Sequence, residues 1–241
     1  TACNTYTWAV NNQTYTSSGS YTSTTGCHTE ILNLVINVCS NNITLGVKAY
    51  LQGMYTGNGL MAASLYDLGE SQDATATDSI EINLWSAATT ATATAPNYSV
   101  KALLHTNGMA SVTFPGSALG GSYYVAVRHR NSLETWSAAP ITMASTGNSV
   151  DFSASATAAF GDGVNAPTVN MGGGVFALYS GDVNQDGTID SQDMTIAEND
   201  ASSFLFGYNA SDCNGDGSSD SGDMTLIENN AGLFLFYARP Y

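Results

Sequence analysis

Two stretches near the end of the chain, DVNQDGTIDSQD at 182–193 and DCNGDGSSDSGD at 212–223, repeat one pattern of oxygen-bearing side chains. They start 30 residues apart, and matching segments follow them, MTIAENDASSFLF at 194–206 and MTLIENNAGLFLF at 224–236. A fixed period of this length marks a structural unit that occurs twice. The sequence therefore predicts a duplicated C-terminal tail over residues 181–241.

Each stretch has the spacing of a loop that wraps around Ca²⁺. This cation takes six to eight oxygens at about 2.3–2.6 Å, and such a loop supplies them from positions 1, 3, 5, 7, 9 and 12, with glycine at position 6. Gly187 and Gly217 occupy position 6. The ligands predicted for one ion are Asp182, Asn184, Asp186, the Thr188 carbonyl, Asp190 (directly or through a water) and Asp193, and those predicted for the other are Asp212, Asn214, Asp216, the Ser218 carbonyl, Asp220 and Asp223.

The charge distribution favours two bound cations over two ion-free turns. Residues 181–241 contain 11 acidic residues and one basic residue, whereas residues 1–180 contain nine and four. Carboxylates clustered at this density repel one another unless a cation lies among them. A calcium sensor opens a helix pair, but no helix is predicted before either loop, so we expect both ions to be structural.

The composition of the whole chain excludes several classes of protein. Its 241 residues carry 20 Asp and Glu against 5 Lys and Arg, a formal net charge of −15, whereas nucleic-acid binders need a positive surface. With 43% apolar residues the chain has enough for a folded core. No run approaches the ~20 apolar residues of a membrane span, and we expect any secretion signal to have been removed. A surface rich in Thr, Ser and Asn predicts a secreted, extracellular or cell-surface protein.

Upstream of the tail, period-two alternation predicts a mainly β chain in two segments. Residues 1–40 are interpreted as a small β repeat unit, in which Tyr6 and Trp8 alternate with polar residues. Residues 41–180 are interpreted as an antiparallel β-sandwich with a low-complexity loop at 87–96. The predicted strands of the sandwich are 43–52, 79–86, 98–105, 109–114, 122–130, 140–143, 149–153 and 174–179.

The four cysteines, Cys3, Cys27, Cys39 and Cys213, allow three disulfide pairings or four free thiols. We favour Cys3 with Cys27, because that bridge would close a short loop and contribute about 3 kcal/mol. The bridge that remains, Cys39 with Cys213, would join the start of the sandwich to the acidic tail.

Three parts of the sequence resemble families of extracellular proteins. The cysteines Cys3 and Cys27 with the intervening Tyr6-Thr7-Trp8 resemble a short repeat of secreted Bacteroidota proteins. The run YYVAVRHRNSL at 123–133 resembles the HRNHL-like sandwich modules at the C-termini of Bacteroidota surface proteins, with Ser132 where that family often has His. The repeats at 181–241 resemble dockerins, which likewise lack a helix before each loop.

The dockerin resemblance implies two helices, one after each loop, and a partner protein. It implies helices that leave the loops at Met194-Thr195-Ile196 and Met224-Thr225-Leu226, and docking onto a cohesin-type protein through those positions. The apolar triplets Phe204-Leu205-Phe206 and Phe234-Leu235-Phe236 depart from that family. They either contact something large or pack on the sandwich. A further string, Asp78-Ser79-Ile80, resembles an O-glycosylation acceptor of Bacteroidota, so glycosylation is left open.

No motif predicts catalysis. No histidine stands in an HExxH motif and no serine in a GxSxG motif. The one dense basic spot is Arg128-His129-Arg130, which either contacts an anion or glycan or is a strand end whose charges face Glu134 or the acidic tail. We favour the strand end. The tryptophans stand in strand-like runs and are predicted to be core residues: Trp8, Trp85 and Trp136.

Two functions of different classes follow from these features. The first is a non-enzymatic, calcium-stabilised extracellular structural protein, a subunit of a surface fibre that assembles head to tail as a homopolymer. Its small N-terminal unit would gain stability by pairing with a sheet edge of another copy. The alternative is a surface adhesion or dockerin-type binding module that docks onto another surface protein or a glycan.

Overall fold

The computed structural model describes residues 2–3, 5–37 and 42–240. The chain divides into two compact units, Thr1–Asn41 and Asn42–Tyr241. Both are built mainly from β-strands, so the prediction of a mainly β fold is confirmed.

The N-terminal unit consists of three two-stranded sheets. Two are antiparallel hairpins and the third is a parallel pair. Among its described residues only Trp8 and Leu34 are buried apolar side chains, while Ile31 and Val35 are more than half exposed. Two-stranded sheets with so little buried surface are marginally stable. The strands are β1 (Ala2–Cys3), β2 (Tyr6–Trp8), β3 (Gln13–Tyr15), β4 (Gly19–Thr25), β5 (His28–Leu34) and β6 (Ile36–Asn37).

The second unit contains two facing sheets and two longer helices. Its strands are β7 (Ile43–Lys48), β8 (Tyr55–Gly57), β9 (Leu60–Met61), β10 (Ala76–Ser86), β11 (Tyr98–His105), β12 (Met109–Phe114), β13 (Ser122–His129), β14 (Ser132–Trp136), β15 (Ile141–Thr142), β16 (Asn148–Asp151), β17 (Val169–Gly172) and β18 (Val175–Ala177). Its helices are α1 (Ser64–Asp67), α2 (Ser191–Ser202) and α3 (Ser221–Ala231), with 3₁₀ turns at Gly116–Ala118 and Ala156–Ala158. The sheets have the orders β11-β10-β13-β14, with β15 beside β13, and β12-β7-β16.

The core of the sandwich forms because side chains alternate between the faces of a strand. On β13, Tyr123, Val125 and Val127 are buried in it, whereas Tyr124 and Arg128 lie on the opposite face. The facing sheet contributes buried residues of β7 and β12 to the same cluster. Period-two alternation along the predicted strand 122–130 divides these residues between the same two faces.

Two features of the sandwich differ from the prediction. Strand β16 pairs with β7 in parallel, from Asn148 opposite Leu45 to Asp151 opposite Lys48, so the sandwich is not wholly antiparallel. Strand β14 was absent from the predicted set. Both of its faces are buried apart from the half-buried Glu134, and Leu133 packs with residues of the tail.

The duplicated tail shares a hydrophobic cluster with the sandwich. Leu133 and Tyr179 of the sandwich pack with Ile189, Ile227 and Leu235 of the tail. Helices α2 and α3 begin at position 10 of the two predicted loops and include residues 194–196 and 224–226, which confirms the exiting helices.

The cysteine pairings fall largely outside the described residues. Cys27 is exposed and Cys213 is buried, and neither is bonded to another cysteine within the described residues. Cys3, the partner predicted for Cys27, has no described side chain, and Cys39, the partner predicted for Cys213, lies outside the described residues. Burial raises the pKa of the Cys213 thiol well above its usual range, so this sulfur is an unreactive core atom.

Candidate calcium loops and neighbouring surfaces

The two predicted calcium loops have one local structure. Position 12 of each, Asp193 or Asp223, accepts hydrogen bonds from the backbone N–H groups of positions 2 and 3, at 2.8 and 3.1 Å in the first loop and 2.7 and 3.0 Å in the second. Position 3, Asn184 or Asn214, donates to the carboxylate at position 5 at 2.9 and 2.8 Å. The duplication seen in the sequence is therefore a duplication of structure.

Each loop leads directly into its helix through a capping box. Asp190 and Asp220 at position 9 are the N-cap residues, and each accepts a hydrogen bond from the second residue of the helix at 2.7 Å. The carboxylate at position 12 reaches back to the N-cap N–H at 2.9 and 3.0 Å. A capping box satisfies backbone donors that a helix start leaves without partners. It also brings two of the predicted ligand positions of each loop, 9 and 12, together at one helix start.

The carboxylates at positions 1 and 12 of each loop are buried. Asp182 is 2% exposed, and Asp193, Asp212 and Asp223 are each 0% exposed. Burial, with the nearby carboxylates of Asp193 and Asp186, raises the pKa of Asp182 to about 7. Burial likewise raises the pKa of Asp212 to about 6, although Arg130 opposes the effect. A buried carboxylate is unfavourable without a cation beside it.

The donor set fits a hard divalent cation. Within residues 42–240, Asp182 Oδ1 is buried and has no hydrogen-bond partner, so one lone-pair oxygen at position 1 is uncommitted. The other predicted ligands are carboxylates, amides and backbone carbonyls, the oxygens that Ca²⁺ takes.

The side chains of the two loops are not gathered around a cation position. No group of three Asp, Glu, His or Cys side chains in the described part of the chain is arranged to hold an ion. Most of the predicted carboxylates instead accept hydrogen bonds from loop amides. Calcium binding at these twelve residues stays a prediction.

Each loop is closed by the apolar triplet of the other repeat. Thr188 of the first loop bridges to Phe236, and Ser218 of the second loop bridges to Phe206. Gly187 accepts a hydrogen bond from the backbone of Tyr237 at 2.8 Å, and Gly217 accepts one from Gly207 at the same distance. The two repeats are therefore interdigitated, and neither loop is complete without its partner repeat.

The phenylalanines of these triplets lie on the surface. Phe204 and Phe234 are 78% and 81% exposed, and Phe206 and Phe236 are more than half exposed. Of the two predicted alternatives, packing on the sandwich is confirmed for Leu235, which is buried in the cluster shared with the sandwich, whereas the four phenylalanine rings stay at least half exposed. Phe204 and Phe234 also have positive φ angles of 53° and 56°. A bulky residue in this left-handed region costs of order 1–2 kcal/mol, and such strain concentrates at functional sites.

The basic spot is the strand end that we favoured. Arg128 Nε lies 3.1 Å from Glu134 Oε2. Arg130 donates to the backbone carbonyls of Asn209 and Asp212 in the tail and to Asp78 Oδ2 at 3.0 Å. The charges of this spot therefore face Glu134 and the tail.

A buried polar chain beneath this spot was not found from the sequence. His129 lies 3.1 Å from Asp78 through Nε2 and 2.9 Å from Ser132 Oγ through Nδ1, and all three residues are at most 2% exposed. Tyr208 of the tail adds a 2.6 Å hydrogen bond to Asp78. Burial alone would raise the pKa of Asp78, but His129, Arg130 and this hydroxyl hold it well below its usual range.

The order of contacts from Ser132 to His129 to Asp78 is that of a hydrolase triad. In that triad, however, Nε2 faces the serine and the serine reaches the substrate. Here Nδ1 faces a buried serine, and the aspartate also binds Arg130 and Tyr208. The arrangement holds the tail on the sandwich.

The comparisons with known proteins give distant similarities to solved structures only. No family model and no curated protein matches the chain. The solved structures that are similar include two type II cohesin–X–dockerin complexes from Acetivibrio cellulolyticus, a C-terminal and an N-terminal interface mutant. Each match covers 78% of this chain and 94% of the other, at 13% identity and TM-scores of 0.45 and 0.42. Among the described residues, no helix is long and apolar enough to span a bilayer.

Proposed function

We propose that this protein is a non-enzymatic, calcium-stabilised extracellular docking module that binds a partner protein through its duplicated tail. The observation that carries the proposal is the pair of Phe-Leu-Phe triplets. In each, two phenylalanines are exposed while the repeat itself is ordered around them. A few residues, among which aromatic side chains are enriched, supply most of the binding energy at protein interfaces.

Backbone strain supports the same proposal. Phe204 and Phe234 stand just after helices α2 and α3, where a left-handed residue is usually glycine because glycine has no Cβ. Both repeats carry phenylalanine there, although its ring gains little from intramolecular packing at about four-fifths exposure. A favourable contact with a partner would offset this cost.

The charge of the tail limits the partner. The tail contains 11 acidic residues and one basic residue, and two calcium ions would neutralise four of those charges. The proposed partner therefore presents an apolar surface with a basic rim. In this proposal Asp182, Asp212 and the other predicted ligands hold the ions, which supply the positive charge that fixes both loops.

A binding comparison tests the proposal. The chain, immobilised in millimolar calcium, is compared with a variant in which Phe204, Phe206, Phe234 and Phe236 are changed to serine. Cell-surface extract of the source organism is the first probe, and a protein that is retained is then titrated in pure form. Val164→Ser, at a residue that is 83% exposed, is the matched control. We expect wild type and control to bind alike and the quadruple variant to bind at least 100-fold more weakly. Equal binding by all three, or retention by none, would contradict the proposal.

A fibre subunit is the second candidate, favoured by the N-terminal unit. Its β4–β5 hairpin has no further strand beside it among the described residues, and Ile31 is 64% exposed. An added strand from a second copy would cover such an edge. Electron microscopy of the pure chain with calcium would show filaments if this candidate is right, and dispersed particles of 25.1 kDa if it is wrong.

The proposal also includes an origin among Bacteroidota and the absence of catalysis. The HRN-containing hairpin supports an origin among Bacteroidota surface proteins. The burial of Ser132 and His129 supports a non-enzymatic role.

A further inference from the structure

A cavity of about 330 Å³ lies on the outer face of the five-stranded sheet, away from the sandwich core. Its floor is formed by β10, β13 and β14. The low-complexity loop contributes Thr94 to Pro96, the first calcium loop contributes Gln185 to Gly187, and the last residues of the chain contribute Tyr237 and Arg239. Pockets that bind small molecules have volumes of about 300–1,000 Å³ and few well-placed polar groups.

The floor of this cavity is rigid. The rings of Trp85 and Trp136 lie 5.1 Å apart between centroids, and the guanidinium of Arg239 lies 4.5 and 5.3 Å from them. Arg239 also donates to the carbonyls of Thr90 and Ala93 at 2.5 and 2.6 Å. A stacked and hydrogen-bonded guanidinium of this kind fixes the loop above the tryptophans, so the cavity is preformed.

Two buried polar atoms that line this cavity are unused. Asn83 is 2% exposed and Trp85 is 8% exposed, and they alternate with core residues along β10 so that both face outward. Asn83 Oδ1 and the Trp85 Nε1–H make no hydrogen bond to any residue in the described ranges. An unmade hydrogen bond at a buried site costs about 1–3 kcal/mol. One acceptor and one donor without partners thus lie two residues apart on one strand, just beneath the surface of the cavity.

The charges at the cavity give no preference for an anionic ligand. Arg128 is paired with Glu134 at 3.1 Å, and Glu81 lies opposite Arg128 in the sheet. The lining contains four carboxylates, from Glu81, Glu134, Asp182 and Asp186, and two guanidinium groups. With one calcium ion in the first loop these charges sum to zero, so a phosphate, sulfate or acidic sugar would meet no excess of positive charge.

We propose that this cavity binds a neutral saccharide. A sugar hydroxyl both donates and accepts, so neighbouring hydroxyls match the free acceptor of Asn83 and the free donor of Trp85. The Arg128–Glu134 pair supplies a further donor and acceptor at the rim. This site is separate from the phenylalanine surface of the tail, and its failure would leave the proposed docking function untouched.

The test uses the full chain in calcium. An array of neutral glycans identifies the probe, and the best binder is titrated by tryptophan fluorescence, because two of the three tryptophans line the cavity. We expect saturable binding that weakens about tenfold in Asn83→Leu. Lys101→Ala, on the neighbouring strand and outside the cavity, should bind like wild type.

A second variant keeps the proposal falsifiable if Asn83→Leu does not fold. Arg128→Gln changes a side chain that is 42% exposed, so folding should survive, and saccharide affinity should fall severalfold. The proposal is overturned if no neutral glycan on the array binds, if only acidic glycans bind, or if the bound glycan loses no affinity in either variant.

Discussion

Calcium removal should make the stability of this protein depend on pH in an unusual direction. The pKa of Asp182 is raised from 3.8 to about 7 and that of Asp212 to about 6, with burial as the main cause. In the calcium-free protein the folded state therefore holds more protons than the unfolded state between about pH 4 and pH 7. Stability falls with rising pH wherever that is so.

The size of the expected loss of stability follows from the pKa shift of Asp182, the larger of the two shifts. Each pKa unit corresponds to about 1.4 kcal/mol, so ionising Asp182 in the folded state costs on the order of 4 kcal/mol by pH 8. For a unit of about 200 residues this lowers Tm by roughly 10 °C. Bound calcium should cancel the loss, because the cation stabilises the ionised carboxylates and binds only the folded loops. The stabilisation by calcium should therefore grow from pH 5 to pH 8.

Differential scanning calorimetry at several pH values, with calcium and in chelator-treated buffer, measures both trends. Asp182→Asn is the decisive variant. Without calcium it should melt above wild type at pH 8, and with calcium below it, since the same change removes a repulsive charge and a ligand. Glu198→Gln, on the exposed side of α2, should leave Tm close to that of wild type both with and without calcium. A calcium-free Tm that rises between pH 5 and 8, or a calcium effect independent of pH, would refute the reasoning.

Three further substitutions probe the packing of the tail on the sandwich and the backbone strain within the tail. Gly53→Ala would place a Cβ 2.1 Å from a backbone carbonyl of the second calcium loop, so urea unfolding should show a loss of more than about 2 kcal/mol. Gly46→Ala, where the nearest such contact is 3.8 Å, should be nearly neutral, and equal losses would contradict the contact. Arg130→Met leaves buried Asp78 without one of its cations, and we expect a loss of about 3 kcal/mol in the same assay. Phe234→Gly should raise Tm slightly, because glycine relieves the positive φ of 56°, while it weakens partner binding; a fall in Tm would show that the ring packs within the chain.

The parts of the candidate site that the sequence predicted are local ones. The oxygen-bearing residues of both loops, the glycines at position 6 and the helices that follow all lie within 30 consecutive residues of each repeat. Their structure depends on turn geometry and on capping between positions 9 and 12, which spacing alone reveals.

The parts that the sequence did not predict depend on distant residues. Asp78 contacts Arg130, which is 52 residues away in the sequence, and Tyr208, which is 130 residues away. The local residue pattern of β10 does not indicate that an aspartate in this strand would be buried with such partners. The parallel pairing of β16 with β7 likewise joins strands that are about 100 residues apart.

The residue pattern alone was enough to predict that the chain is mainly β, that its tail is duplicated, and which twelve residues are candidates to hold two cations. Alternation and repeat spacing reflect the geometry of single strands and turns, so they are visible without a fold. Three features became visible only in the folded chain: the exposed phenylalanines, the closure of each loop by the other repeat, and the cavity that Asn83 and Trp85 line together. These features depend on which surfaces meet, and that is set by packing between segments far apart in the chain.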